Sequence, residues 1–545
     1  MELSAHEPRR FPVLFAHRRS CLLKTRIGIA VYALAATCVL APIAAQSPVQ
    51  QPAAAANPPA ALASGFKEEL IVAVPSGSEL KDWTARENHV AWIEGKAGAW
   101  IVRFDGKQQG GTFEDISTIA ISPDGAHLHF IGKRNGMEVH VVDGQDRSPQ
   151  YTSVTNLVFQ PHGDSIAYSA CTEKKKCRLF VDEKPQGAEY EDIIRPHYSS
   201  DGKRLAYFAR RNKIWIAIVD GKQIGPDLEE FGHWGFSHDA SHFYSAAWVK
   251  GEKKWTYLVD GAEGPGFDAI SPLAFSSDSK HFAYSGADSH PGFKKQKTSG
   301  TVVLDGKPLA SYEGKGLSGS WTGLGGSYEL MATGPRDFDA DFHGVSNPGL
   351  DTKGNLIYAA RRDKGDVVVM QGDQAGPSFD DIVSGIAYTD DGAHFAYVAR
   401  RGNSLVEVRT TQPGLTFPTS AQVDGVSWIE LSEDGAHMSY ELVRGGRYFK
   451  AGYSGRARRT VVVDGQLGKE YNALGIFPVR FSEDRRHYYF GVEGAEAKRV
   501  LIVVDGQESK LYDAAGGYSL AADGKGLTFF GQDSSRLLRI TYPFQ

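Results

Sequence analysis

The sequence predicts an all-β chain built from one small sheet repeated along its length. Three observations carry that expectation. An apolar strand recurs at a step of about 38 residues. Asp-Gly turns flank it at two fixed places in most units. No stretch after Phe66 shows an amphipathic helical period sustained over several turns.

At 545 residues the chain is too long for a single ordinary core, so repeats or several domains are expected. Hydrophobic residues at 41% and charged residues at 23% are ordinary for a globular protein. A formal charge of −5 gives no bulk attraction for nucleic acid. The 61 glycines follow no collagen period and read as turns.

The N-terminus carries Arg9, Arg10, Arg18, Arg19, Lys24 and Arg26, then the uncharged run Ile27–Ala41. Small residues follow, up to Gln46. This is the order of a secretory signal, so residues 1–45 are expected to direct export to the periplasm or beyond. The alternative is an uncleaved anchor over Ile27–Ala45; if the signal is cleaved, no stable membrane span is expected. Arg18-Arg19 fits a twin-arginine signal poorly, and Cys38 fits a lipid-attachment site poorly. Residues 46–65, rich in Pro, Ala and Gln, lack large apolar groups and read as a linker.

From Phe66 the repeat takes over. Its marker strand reads HVAWIEG from His89, HLHFIGK from His127, SIAYSAC from Ser165, RLAYFAR from Arg204, HFYSAAW from His242 and HFAYSGA from His281. A divergent YELMATG follows from Tyr328, then NLIYAAR from Asn355, HFAYVAR from His394, HMSYELV from His437, HYYFGVE from His487 and GLTFFGQ from Gly526. The step is broken around Asp288–Asp351 and stretched by a long loop, Arg444–Arg459. Before the marker strand comes a turn such as Ser122-Pro123-Asp124-Gly125 or Ser432-Glu433-Asp434-Gly435. After it comes a Val-rich strand ending in a second Asp-Gly, as at Asp143-Gly144, Asp220-Gly221 and Asp505-Gly506. A fourth strand ends in an aromatic and acids, as in Phe113-Glu114-Asp115-Ile116 and Phe379-Asp380-Asp381-Ile382. Four short antiparallel strands in about 38 residues make one blade of a β-propeller.

The marker strands suggest about twelve units, too many for a usual ring. The simplest division is two tandem six-bladed rings, residues 66–314 and 315–545; a 7+5 split or one large ring are the alternatives. Phe66–Pro75 reads as a lone strand that could complete the last C-terminal blade.

Ser122–Gly125, the Ala-Tyr strands in RLAYFAR and HFAYVAR, and the VVDG strand ends resemble the WD40-like propeller repeats of TolB and its relatives. The resemblance covers nearly all of 66–545. It implies an extracytoplasmic propeller used in binding and supplies no catalytic residue. Most units lack the proline, and no α/β domain of the TolB kind precedes the repeats.

Cys171 and Cys177 bracket Thr-Glu-Lys-Lys-Lys between two strand-like segments. They can face each other across a hairpin, and the export signal favours a disulfide over two reduced thiols.

Chemistry is harder to place. His127, His242, His281, His394, His437 and His487 share one repeat position, which argues for a structural role rather than a metal site. His233, His238 and His242 are close in sequence, but their spacing crosses a strand and a turn. Asp337, Asp339 and Asp341 alternate as Ca²⁺ ligands can, although Phe342 and Pro348 break the EF-hand pattern; otherwise this is an acidic, solvated segment. Ca²⁺ is the one cofactor considered, and there is no G-x-S-x-G, H-E-x-x-H or P-loop.

The loops after the marker strands are basic: Lys133-Arg134, Lys174–Lys176, Arg210-Arg211, Lys250 with Lys253-Lys254, Lys294-Lys295, Arg361-Arg362, Arg400-Arg401 and Lys498-Arg499. In a propeller they leave one face, giving a rim for an anionic partner unless the acids ending the fourth strands neutralise it. The long loop, with Arg444, Arg447, Tyr448, Phe449, Lys450, Tyr453, Arg456, Arg458 and Arg459, is the expected contact surface.

Two functions follow. The first is a non-enzymatic, exported binding or scaffolding propeller for a protein or polyanion of the cell envelope. The alternative is a metal-dependent lactonase- or lyase-like enzyme with its site at a channel mouth.

Overall fold

The computed structural model describes residues 65–544 apart from 164, 290–297, 315–347, 363–364, 411–415, 419–424, 445–446, 450–451, 455–457, 495–498 and 522–523. The expected signal and linker, the divergent strand from Tyr328 and the Asp337, Asp339, Asp341 candidate all lie outside the described residues. Residues 62–545 cluster as one compact unit.

Every regular element described is a strand. Nine sheets of four or more strands are formed. Two of them join a pair of repeats through one long strand, Lys222–Phe236 or Gln466–Ile476, so the described residues hold eleven repeat units. The first unit uses Glu79–Arg86, His89–Lys96, Ala99–Phe104 and Lys107–Phe113 in antiparallel sequence order. The fold is a β-propeller. First strands pack on first strands of the next unit, as Glu79–Arg86 does on Asp115–Ile121, so they lie nearest the axis. Fourth strands such as Lys184–Tyr190 are mostly exposed.

The marker strands are buried on both faces because each sheet is sandwiched between two others. Ala91, Ile93, Trp100 and Val102 of the first unit pack against Leu128, Phe130, Val139 and Val141 of the second. Burying one such Phe or Leu contributes about 2 kcal/mol. The aromatic that ends each fourth strand reaches into the next sheet, which explains the small residue in the marker strand. A Cβ on Gly132 would stand 2.3 Å from the Phe113 ring, and one on Gly286 would stand 2.2 Å from the Phe267 ring.

The same packing runs from Ala283 and Val302 to Leu350, Leu356 and Tyr358, across the boundary expected at 314. It also joins the last unit to the first, where Phe530 and Leu537 meet Trp83, Val90 and Trp92. The lone N-terminal strand, Lys67–Ala73, pairs antiparallel with Arg536–Pro543 and becomes the outer strand of the last sheet.

The two Asp-Gly turns differ. In the first only the glycine is left-handed, as at Gly125 (φ 76°), and Asp124 accepts hydrogen bonds from Ser122 Oγ at 2.5 Å and Ala126 N at 3.0 Å. In the second both residues are left-handed, as at Asp143 (φ 48°) and Gly144 (φ 78°), which suits a two-residue hairpin. The repeated histidines tie the two turns together. His127 Nδ1 lies 2.7 Å from Asp143 Oδ2, while Asp143 Oδ1 accepts the Leu128 N–H at 2.8 Å. His89, His242, His281, His437 and His487 do the same with Asp105, Asp260, Asp305, Asp464 and Asp505. His394 departs from the pattern, because Thr410 stands in the aspartate's place and accepts no bond from the ring.

Candidate functional site: the loop face around the Cys171–Cys177 hairpin

Loops after the marker strands and acids after the fourth strands share one face. Glu114 Oε2 accepts the Gly136 N–H at 3.0 Å, Glu191 Oε2 that of Lys213 at 3.2 Å, and Asp380 Oδ2 that of Gly402 at 2.6 Å. Asp513 Oδ2 does so for Ser534 at 2.6 Å. Each acid thus fastens the hairpin turn of the next unit.

These acids and their neighbours also neutralise part of the basic rim. Arg134 pairs with Asp146 at 2.6 Å and lies over the Phe113 ring. Arg361 pairs with Asp381, Arg362 with Asp366, Lys254 with Asp288 and Arg499 with Asp513. Part of the rim is therefore a set of local ion pairs, each worth little in water.

The third and fourth units differ. Marker strand Ile166–Glu173 turns through Lys174-Lys175 into Lys176–Val181. Cys171 and Cys177 are register partners across it, joined by a disulfide with an S–S distance of 2.04 Å. Beside them opens a pocket of about 380 Å³ lined by Thr152, Ser153, Cys171, Glu173, Lys174, Lys175, Cys177, Glu191, Asp192, Arg210 and Lys213.

Lys174, Lys175 and Lys213 form no ion pair among the described residues. Lys176 takes Glu173 at 3.0 Å, and Glu191 is engaged by the Lys213 turn. Arg210 lies 5.6 Å over the Trp215 ring, and its Nε is buried without a hydrogen-bond acceptor. Burial raises the Asp192 carboxyl above its usual range, against the pull of the Ile193 N–H and Arg210.

Two of the lysines occupy a demanding position. Lys175 (φ 68°) and Lys213 (φ 65°) are the second residues of their hairpin turns, in the left-handed region. The first two units place Gly98 (φ 83°) and Gly136 (φ 75°) there. A side chain at such an angle costs about 1–2 kcal/mol. The chain twice accepts this cost where a cation then faces the pocket.

Comparison with known proteins adds little beyond the fold. No family model matches the chain, and no curated protein matches it. Among solved structures it is similar to a eukaryotic initiation factor at 11% identity, over 81% of this chain and 97% of that one, with a TM-score of 0.35. It is similar to the Dos1 propeller at 10% identity, over 79% and 93% of the two chains, with a TM-score of 0.30. A structure from an analysis of two prolyl endopeptidases matches at 13% identity, over 69% of this chain and 54% of that one, with a TM-score of 0.28.

The long loop expected to form the contact surface is placed only in part. Arg447–Phe449 and Gly452–Ser454 pair as a small extra hairpin, with Tyr448 opposite Tyr453. The side chains of Arg447, Tyr448, Phe449, Lys450, Tyr453 and Arg456 lie outside the described residues. Arg444 and Arg458 share Glu470 at 3.5 and 3.2 Å. Arg459 requires a correction: it is buried and paired with Glu441, so it belongs to the interior. His233 is not placed with His242 in a site, because His242 is held by Asp260. Among the described residues no group of three or more His, Cys, Asp or Glu side chains is arranged to hold a metal ion.

Sequence reasoning missed Lys213 and a buried polar chain between the second and third units. There His129 Nδ1 lies 3.1 Å from His140 Nε2, His140 Nδ1 lies 3.1 Å from Glu183 Oε1, and Tyr168 donates to Glu183 Oε2 at 2.5 Å. Glu183 (φ 65°) sits where other units have the glycine of the second Asp-Gly turn. The signal in both cases was a charged residue in a glycine slot.

Proposed function

We propose that this chain is an exported, non-enzymatic propeller of the TolB-like type that binds an anionic protein or polymer of the cell envelope through its basic loop face. The observation that carries the reading is the cluster of Lys174, Lys175 and Lys213 around one pocket, without ion pairs, on a rim where Arg134, Lys254 and Arg361 are each paired with a carboxylate. Free cations beside a concave, partly desolvated surface attract an anion more strongly than the same charges in ion pairs. The N-terminal basic and apolar segments support export, and the disulfide suits an oxidising compartment.

The test is salt-gradient elution of the full chain from immobilised polyphosphate, with Lys174→Glu/Lys175→Glu/Lys213→Glu as the variant. The control reverses Lys107, Lys184 and Lys222, which are exposed beside the opposite turns. Earlier elution of the variant alone supports the reading; equal elution of variant and control overturns it. Cell fractionation with N-terminal sequencing tests export, with a mature terminus near Gln46 expected.

A further inference from the structure

The disulfide is itself part of the pocket wall. Both cysteines line it, and Cys171 is half-buried whereas Cys177 is buried, so Cys171 is the more accessible end of the bond. A disulfide in this setting is open to attack at one end. The surrounding lysines favour two things at once: an anionic attacking molecule, and the thiolate that leaves.

We propose that this pocket is a thiol–disulfide exchange site for a small thiol carrying carboxylates. The thiol loses its proton to solvent, and its carboxylate is held by Lys174, Lys175 and Lys213, with Arg210 at the base. Its sulfur attacks Cys171 Sγ. A new S–S bond forms to Cys171 as the Cys171–Cys177 bond breaks, and the electron pair leaves on Cys177 Sγ. That thiolate then takes a proton from solvent. The Cys177 sulfur already faces the Glu191 carbonyl oxygen at 3.8 Å, which can accept from the resulting thiol. A second equivalent of the same thiol, attacking its own bound sulfur, releases the ligand as its disulfide and leaves both cysteines reduced. The entering thiol is the only reductant required.

Three pocket carboxylates do not cancel this selectivity. Glu173 is bonded to Lys176, Glu191 accepts the Lys213 N–H, and the pocket cations Lys174, Lys175, Arg210 and Lys213 outnumber the three carboxylates. The lysines in left-handed turns are the independent sign that charge was placed here at a conformational cost. This inference goes beyond docking to an envelope partner and does not depend on it.

The experiment uses the full oxidised chain with two probes, glutathione and the neutral 2-mercaptoethanol, and peptide mapping to assign adducts to Cys171 rather than Cys21, Cys38 or Cys177. Rates are divided by those of each thiol with hydroxyethyl disulfide. The native chain is expected to favour glutathione on the order of fivefold, a ratio that salt reduces. Lys175→Gly/Lys213→Gly, which suits the backbone, should lower the ratio, and K174E/K175E/K213E should abolish it by slowing glutathione far more than the neutral thiol. An unchanged ratio in the variants, equal slowing of both thiols, or no adduct at Cys171 without denaturant overturns the proposal. Polyphosphate elution is read separately, so either reading can fail alone.

Discussion

Arg459 Nη1 donates to both carboxylate oxygens of Glu441 at 3.0 Å, and both side chains are buried between strands of one sheet. Arg459 Nε also donates to the Ala473 carbonyl at 3.2 Å. Removing one partner strands the other charge in the interior, which costs about 3–5 kcal/mol. Glu441→Ala is therefore expected to lower the urea midpoint sharply, whereas Arg458→Ala, on the exposed side of the same strand, should change it little.

The pair also sets a pH dependence. Burial raises the Glu441 carboxyl from 4.5 to about 7, outweighing the attraction of Arg459. A folded value above the unfolded one means that the contribution is complete below about pH 4.5 and is lost as pH rises through about 7. Glu441→Gln should flatten this falling limb in melting curves recorded across that window.

His129 gives the opposite slope. Burial, reinforced by His140, lowers its imidazole from 6.5 to about 4. The folded chain then resists protonation that the unfolded chain accepts. Its contribution is complete above about pH 6.5 and is lost as pH falls through about 4. His129→Gln should flatten the acid limb. The double variant with Glu441→Gln should flatten both, because the two sites lie in different units and should act additively.

The fold was legible because a propeller states its rules many times over. The His–Asp tie could be recognised as structural from its recurrence at His127, His242, His281, His437 and His487, before any aspartate partner was known. The lone strand at Phe66 could be matched to the last sheet because every other unit already had its four strands. The division at 314 rested on usual ring sizes, which the repeat pattern itself does not state. The site was less legible. Arg459 reads as one more loop cation, and only its register opposite Val443, beside Glu441, turns it inward. Lys175 reads as part of a basic loop and Lys213 passes unnoticed beside Arg210-Arg211, and the meaning of both lies in the torsion angle they share with Gly98 and Gly136.

Closure of the last sheet depends on Lys67–Ala73. Glu68 Oε1 accepts from Tyr512 at 2.8 Å and lies 3.0 Å from Lys510, and Arg539 pairs with Glu69 at 3.2 Å. Phe66 packs on Tyr542 with ring centroids 4.7 Å apart. Deleting residues 1–74 leaves Arg536–Pro543 with an open edge and strips one side of the last core cluster. The truncated chain is expected to self-associate in sedimentation and to melt earlier than a chain cut before Gly65.

Glycine slots filled by charged residues give the sharpest contrast. Lys175→Gly and Lys213→Gly each relieve a left-handed side chain, a gain of about 1–2 kcal/mol. The looser unfolded chain offsets about 0.4–1 kcal/mol of this. Each substitution should therefore raise stability by about 0.5–1 kcal/mol, read from urea midpoints, since neither lysine side chain makes a hydrogen bond or ion pair among the described residues. Glu183→Gly relieves the same kind of angle but deprives His140 and Tyr168 of their shared acceptor. An unsatisfied buried donor costs about 1–3 kcal/mol, so this third variant should be less stable despite its better backbone. If all three glycines stabilised alike, the charges would owe their places to chance. Opposite signs are expected because Glu183 holds two neighbours together, whereas Lys175 and Lys213 face a cavity that no described residue fills.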